Sequence, residues 1–183
     1  MKTVYSLTIM AFAFLLTACE QTPTQEALQE NEYRYEAITL EEEIHVLTKY
    51  ASNTLMSIRL ADLAVQQAQN EKVKALAEKM SADHRQLYEE LKVLADNYNM
   101  ALPAELSEEK KETINTLKGK DGTAFDKMYL ASVVSYHEAF EDSMENVMEG
   151  TEYEQLITLA RAIDSHNYVH LNRAKTLMME MDS

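Results

Sequence analysis

The chain has 183 residues, a formal net charge of −14, three Gly, two Pro, no Trp and a single Cys. That length supports one domain with its own core, and the shortage of helix-breaking residues favours helix over sheet. The acidic charge argues against nucleic acid as a partner. One cysteine excludes an internal disulfide framework and a cysteine-rich metal site.

Residues 1–18 have the features of a secretory signal. Lys2 supplies the positive charge, and Val4–Leu16 is a mostly apolar stretch too short to span a bilayer comfortably. The stretch ends in Leu16-Thr17-Ala18-Cys19, which resembles the bacterial lipoprotein signal. In that signal the cysteine thiol accepts a diacylglyceryl group and cleavage makes the cysteine the new N-terminus. The alternative is an ordinary secretory signal with a chance cysteine.

The lipoprotein signal predicts where the protein is held. We expect lipidation at Cys19 to anchor the chain on a membrane of the bacterial envelope without spanning it, with the domain facing the periplasm or the surface. Glu20, in place of an aspartate, favours the outer over the inner membrane. The polar residues 19–38 predict a flexible tether between the anchor and the folded domain. The sequence identifies no protein partner.

Four long helices are predicted within residues 39–183, each by apolar residues at three- and four-residue spacing. Three begin at Thr-containing capping boxes and one at an Asn cap. The predicted helices run from Thr39 to about Gln69, from Glu71 to Tyr98 after Asn70, from Thr123 (boxed with Asp126) to Gly150, and from Thr151 (boxed with Glu154) to the C-terminus. The result is an all-α domain.

The connection between the second and third long helices predicts the topology. It covers residues 99–122, contains Pro103 and includes a short helix over 107–118 that Ser107 begins. That short helix is about 18 Å long, against about 42 Å for the second long helix. The other twelve residues add up to roughly 40 Å when extended, so the connection can run the length of the bundle. One long crossover between two helical hairpins is the ferritin-like arrangement.

Four histidines are predicted to share one layer of this bundle. Counted from the end where the second long helix begins, His84 lies about 20 Å along the axis, His137 and His166 about 21 Å, and His170 about 15 Å. His84, His137 and His170 each sit on an apolar stripe, and His166 lies one turn before His170. Because this level is near the middle of the bundle, a plain up-and-down topology also predicts the layer.

The donor set decides which metal such a layer suits. Neutral imidazoles suit Zn, Cu, Ni or Fe, and a thioether from Met56 or Met80 favours Cu(I). A ferritin-type di-iron site needs more carboxylate, including Glu-x-x-His on two helices. Only Glu42-x-x-His45 fits that pattern, and it lies in the first turn of the first long helix. Among metal sites, the sequence therefore favours Cu or Zn over di-iron.

A structural role is the more common one for buried histidines. Imidazoles inside helical bundles often hydrogen-bond to each other, to tyrosine or to a carbonyl, and polar clusters mark function only in part of the cases. Tyr88, Tyr129, Tyr136 and Tyr168 are available as such partners. Asp83 is predicted either to support a histidine by a hydrogen bond or to face solvent.

At these positions the sequence resembles a family of predicted bacterial envelope proteins, domain-of-unknown-function 4142, over about residues 45–178. The matching residues are Leu63-Ala64, Val73-Lys74, Met80 with Asp83-His84, Leu102-Pro103, Phe125-Asp126 with Tyr129, His137, and His170-Leu171 with Ala174. The resemblance implies a ferritin-like four-helix bundle and no established activity. Four residues of this chain match polar positions of the family: His84, Tyr129, His137 and His170.

Two departures from the family pattern bear on the metal. Ser57 stands where the family tends to carry a Glu, which weakens an iron site. Asp164-Ser165 and the additional His166 stand where the family tends to have Leu-Pro, which favours an all-imidazole site.

Three functions stay open from the sequence. The first is a binding or stress-protective module of the envelope with a transition metal at the histidines, supported by Asp83 and Tyr129 behind the ligands. The second is a metal-dependent oxidase or peroxidase that uses Tyr129 or Tyr136. The third is a structural or interaction bundle without a ligand, in which the histidines fix helix register. The sequence identifies no catalytic residue.

Overall fold

The computed structural model describes residues 21–35 and 40–182, and every regular element in those ranges is an α-helix. The helices are α1 (Pro23–Tyr35), α2 (Glu41–Gln67), α3 (Glu71–Tyr98), α4 (Glu108–Lys118), α5 (Gly122–Glu138), α6 (Glu141–Gly150) and α7 (Glu154–Asp182). None of these helices combines the length and the apolar character needed to cross a membrane. The predicted signal with its lipidation site Cys19, and the predicted cap Thr39, lie outside the described residues.

Helix α3 has the predicted bounds and the predicted cap. The Asn70 side chain accepts a hydrogen bond from the backbone N–H of Lys72 at 2.9 Å, which satisfies one of the free donors of the first turn. Asn99 ends the helix in the left-handed conformation with φ 52°, a position that Asn tolerates better than most residues. The short helix α4 is also confirmed, with Ser107 as its cap.

The two turns at one end of the bundle confirm the long crossover. The buried Asp126 carboxylate accepts the backbone N–H groups of Gln69 at 3.1 Å and Asn70 at 2.8 Å. Asp126 is in the first turns of α5, and Asn70 caps α3. The two helices therefore start at the same end and run parallel, so the connection between them must return along the bundle. The fold is the ferritin-like four-helix bundle, with α2, α3, the α5–α6 pair and α7 as its long elements.

The third long helix is not continuous. The predicted helix over 123–150 is divided into α5 and α6. At the break the N–H of Phe140 bonds to the carbonyl of His137 at 3.2 Å, a tightened turn of the 3₁₀ type. The Phe140 ring packs edge-on against Tyr50 with ring centroids 5.7 Å apart. The prediction was wrong because neither Gly nor Pro marks the break.

Two predicted capping boxes also differ. Helix α5 begins at Gly122, with Asp121 and not Thr123 at the N-cap position. The Asp126 carboxylate binds the α2–α3 turn and closes no box with Thr123. The Thr151 hydroxyl accepts the N–H of Tyr153 at 3.3 Å. Helix α7 accordingly starts at Glu154, two residues later than a cap at Thr151 predicts.

The segment predicted as a flexible tether contains helix α1. Thr22 and Gln25 form a reciprocal capping box at its start, with backbone-to-side-chain bonds of 2.8 and 3.2 Å, and Pro23 occupies the first helical position. The buried Asn31 amide then bonds to Thr48 at 2.8 Å and to the backbone of Ala101 at 2.7 and 2.9 Å. The Pro-containing start of this helix has the polar composition of a flexible spacer, and for that reason the sequence pattern predicted a tether.

The core consists of two apolar clusters. One lies around Leu47, Leu91 and Ile163, and the other around Ala61, Phe125 and Ala174. Along α3, α5 and α7 the residues between the two clusters include His84, His137 and His170. The three histidines form a buried polar layer between two apolar halves of the bundle.

Candidate metal centre

Three helices each place one buried imidazole in the histidine layer. The exposed fractions of His84, His137 and His170 are 2%, 3% and 0%. Their ring centroids form a nearly equilateral triangle, with separations of 5.3 Å between His84 and His137, 5.2 Å between His84 and His170, and 5.4 Å between His137 and His170. One ring nitrogen from each residue lies within 4.8 Å of the others. We call these three residues the inner trio.

Hydrogen bonds behind two of the rings determine which nitrogen carries the proton. Nδ1 of His137 lies 2.8 Å from the carbonyl oxygen of Val133, and Nε2 of His170 lies 2.7 Å from Oδ2 of Asp83. A carbonyl and a carboxylate only accept, so each of these nitrogens donates. In the neutral rings the other nitrogens, Nε2 of His137 and Nδ1 of His170, are therefore left with lone pairs.

Those two lone pairs face each other. Nε2 of His137 and Nδ1 of His170 are 3.3 Å apart. Two nitrogens that each bind zinc at 2.0–2.1 Å with a tetrahedral angle between them are about 3.3 Å apart. The spacing of this pair therefore suits a shared cation, and it suits a shared proton equally well.

His84 distinguishes a cation from a proton. Among the described residues, neither Nδ1 nor Nε2 of His84 has a hydrogen-bond partner, although both atoms are buried. A buried polar atom without a partner costs about 1–3 kcal/mol. A proton shared by His137 and His170 leaves that cost in place. A metal ion at the centre of the trio removes it for one of the two nitrogens, because that nitrogen of His84 becomes a ligand.

The inner trio is held in the form that metals bind. Burial, followed by the charge of His170, lowers the pKa of His137 to about 4. Burial, followed by the neighbouring imidazoles, also lowers the pKa of His84 well below its usual value. Burial lowers the pKa of His170, against the opposing effect of its bond to Asp83. The rings are consequently neutral at pH 7, and metal ligation does not have to displace a proton from an imidazolium.

Asp83 links the trio to the surface. Its Oδ2 lies 2.7 Å from Nε2 of His170, 3.2 Å from Nδ1 of His166 and 2.7 Å from Nζ of Lys79. Partial burial acts to raise the pKa of Asp83, but the hydrogen bonds from Lys79, His170 and His166 outweigh it and lower that pKa to about 2. Asp83 therefore supports a histidine and is not simply a solvated carboxylate.

The remaining predicted site residues lie in three different places. His166 does not belong to the inner trio but lies beside it, with its side chain 31% exposed. The Tyr129 hydroxyl donates to Sδ of Met80 at 3.4 Å, so these two residues pair with each other. Met56 is fully buried in the cluster around Phe125. His45 lines a cavity between α1 and α2.

Two elements of the site were missed from the sequence. The Val133 carbonyl lies four residues before His137 on the same helix, and a backbone acceptor leaves no signal in the residue types. Lys79 did leave one, since a Lys four residues before Asp83 is the spacing of a helical ion pair.

Comparisons with known proteins give a family and a fold. The family model described as "Domain of unknown function (DUF4142)" matches residues 35–177. A crystal structure of a DUF305 fragment from Deinococcus radiodurans has a similar fold, with a TM-score of 0.68 at 12% identity, and the match covers 76% of this chain and 96% of that chain. No protein in a search of curated proteins matches the chain.

Proposed function

This chain belongs to the DUF4142 family, a domain of unknown function, and on that premise we propose that its bundle binds one divalent transition-metal ion between His84, His137 and His170. The observation that carries the proposal is the unpartnered, buried imidazole of His84 at 5.2–5.3 Å from two other imidazoles. Each of the other two rings has its outward nitrogen bonded and its inward nitrogen turned toward its neighbour.

The donor atoms limit which metal ions suit the trio. The trio offers three neutral nitrogens and no carboxylate, which suits Zn(II) or Cu(II) and disfavours the carboxylate-rich di-iron centre. Three protein ligands leave a fourth position of a tetrahedral ion for water or another small ligand. Oxidase or peroxidase chemistry would require a redox-active ion with that fourth position open to the substrate, whereas retention of a metal in a binding module requires neither.

The proposed cellular setting rests on the sequence. The lipoprotein-like Leu16-Thr17-Ala18-Cys19 supports a protein anchored by lipid in the bacterial envelope. In this setting the bundle acts as a metal-binding or stress-protective module outside the cytoplasm. Labelling with a radioactive fatty acid tests the anchor: the label should appear on the wild-type protein and be absent from Cys19→Ala.

Metal titration of the purified full-length chain tests the proposed site. Co²⁺ serves as a spectroscopic probe because tetrahedral nitrogen ligation gives visible absorption, and Zn²⁺ and Cu²⁺ compete for the same position. We expect one equivalent to bind to the wild type and the affinity to fall by at least about 100-fold in His84→Ala, because one of three ligands is removed.

The control is His45→Ala, which removes a histidine in the cavity between α1 and α2 and away from the trio. It should bind like the wild type. Equal binding by His84→Ala, or no stoichiometric uptake of any of the three ions, would contradict the proposal. The histidine layer would then be a structural feature of the core.

A further inference from the structure

A second group of metal donors lies between the inner trio and solvent. It consists of Asp83, His166 and His170, whose donor atoms lie within 4.8 Å of one another. The side-chain exposure falls from 31% at His166 through 14% at Asp83 to 0% at His170. The three residues therefore connect the surface to a ring of the buried trio.

His170 belongs to both groups, through different nitrogens. Its Nδ1 lies 3.3 Å from Nε2 of His137, whereas its Nε2 lies 2.7 Å from Oδ2 of Asp83. A neutral imidazole has one lone pair and one N–H. His170 can therefore serve as a ligand in only one of the two groups at a time.

We propose that Asp83, His166 and Nε2 of His170 form an outer cation site, which takes an ion from solvent and delivers it to the inner trio. This inference rests on the proposed function of the inner trio. A carboxylate with two imidazoles is a donor set that divalent Zn, Co or Cu accepts. The shared ring makes the two sites alternatives, so the protein holds one tightly bound ion and uses the outer site during loading.

His170 carries one ring proton both when the ion is at the outer site and when it is at the inner site. With an ion at the outer site, Nδ1 of His170 carries the proton and donates to Nε2 of His137, whose own proton is held by the Val133 carbonyl. With an ion at the inner site, the proton is on Nε2 and donates to Asp83. The ring remains neutral in each state, and transfer moves one proton from one of its nitrogens to the other.

Lys79 occupies the place where an arriving cation must bind. Its ammonium lies 2.7 Å from Oδ2 of Asp83, and its side chain is 53% exposed. A long, exposed side chain can move into solvent, so Lys79 competes with the metal without closing the site. Its removal should therefore speed loading, which is the opposite of the effect expected at His166.

The rate of Co²⁺ uptake by the full-length chain tests the outer site. After stopped-flow mixing we expect His166→Ala to slow the appearance of the inner-site spectrum by about tenfold while its final amplitude stays at the wild-type level. Lys79→Gln should accelerate the same signal, and His45→Ala should leave it unchanged. Wild-type rates in both His166→Ala and Lys79→Gln would overturn the outer site.

An equilibrium experiment separates the two proposals. A His84→Ala/His137→Ala variant keeps all three outer residues, so it should still bind one Co²⁺ more weakly, and adding His166→Ala should abolish that binding. Where this double variant fails to fold by circular dichroism, the single variant His84→Leu replaces it.

The other outcomes of these Co²⁺ binding experiments show which of the two proposed sites is wrong. Binding that is lost in His84→Ala, together with no residual Co²⁺ in the double variant, would support the inner trio and overturn the outer site. Binding that survives loss of the trio but requires His166 would overturn the proposed function and leave the outer site as the metal site. No Co²⁺ uptake by the wild type would overturn both.

Discussion

The histidine layer and the apolar side chains of the two clusters beside it are buried to the same degree in the same helices, yet only the apolar side chains are satisfied by packing alone. Phe125 and Leu91 are fully buried and need nothing except contact with their neighbours. The layer contains ring nitrogens that need partners, and among the described residues His84 has none for either of its nitrogens. Core stability alone therefore does not explain the layer.

The two sides of the layer differ as well. On the side of Asp83, His170 is bonded and connected through His166 and Lys79 to the surface. On the other side, His84 lies on α3 between the buried apolar residues Met80, four positions before it, and Leu87, three positions after it. This difference is consistent with the proposed entry of a cation from the side of Asp83.

The largest effect should come from the apolar clusters. Phe125→Ala removes a fully buried ring and should lower the free energy of unfolding by about 3–5 kcal/mol, through lost burial and the cavity left behind. Val93→Ala, at a side chain that is 63% exposed, is the matched control and should change it by less than about 0.5 kcal/mol. Urea unfolding measures both, and a small effect at Phe125 would contradict the packing described for this cluster.

Lowering the pH should reduce the free energy of unfolding of the metal-free protein through the histidine layer. His137 has a pKa of about 4 when folded and its usual value of 6.5 when unfolded, so between these values the unfolded chain binds more protons and stability falls as pH falls. From pH 7 to pH 4.5 the loss from this ring should be on the order of 2–3 kcal/mol.

Asp83 acts in a lower pH range. Its folded pKa of about 2 lies below the usual 3.8, so the stability it contributes is present above pH 3.8 and is lost only toward pH 2. Urea unfolding of chelator-treated protein across this range measures the two effects. A His137→Leu variant should show a shallower loss between pH 7 and 4.5, and an unchanged slope would contradict a neutral, buried His137.

A smaller effect of opposite sign should follow from His84→Leu. Leucine has a similar size and no polar atoms, so it removes the cost of two unpartnered nitrogens and should stabilise the metal-free protein by about 1–2 kcal/mol. The same variant should lose the stabilisation that metal gives the wild type, about 2.7 kcal/mol at 100 times Kd. Destabilisation of the metal-free protein by this substitution would show that His84 has a partner that the structure does not reveal.

Much of this architecture could be predicted from residue patterns. The apolar spacing of α3 and its Asn70 cap predicted both bounds of that helix, and the length of the 99–122 connection predicted the crossover. These features depend on local capping chemistry and chain length, which a sequence carries directly. The meeting of His84, His137 and His170 followed from counting residues along helices of known rise.

Other features depended on contacts that residue types do not reveal. The break after Glu138 has no Gly or Pro and is stabilised by the packing of Phe140 against Tyr50. The docking of α1 depends on Asn31 reaching the backbone of Ala101, 70 residues away in sequence. Likewise, the division of the histidines into an inner trio and an outer His166 depends on which side of α7 faces Asp83.

Anomalous diffraction from a zinc-loaded crystal of the full-length protein tests the central claim most directly. Data collected on both sides of the zinc absorption edge identify the ion and locate it independently of the protein coordinates. The account predicts one strong peak about 2.0–2.1 Å from ring nitrogens of His84, His137 and His170. A peak that excludes His84 from its ligands, or a crystal that takes up no zinc, would contradict it.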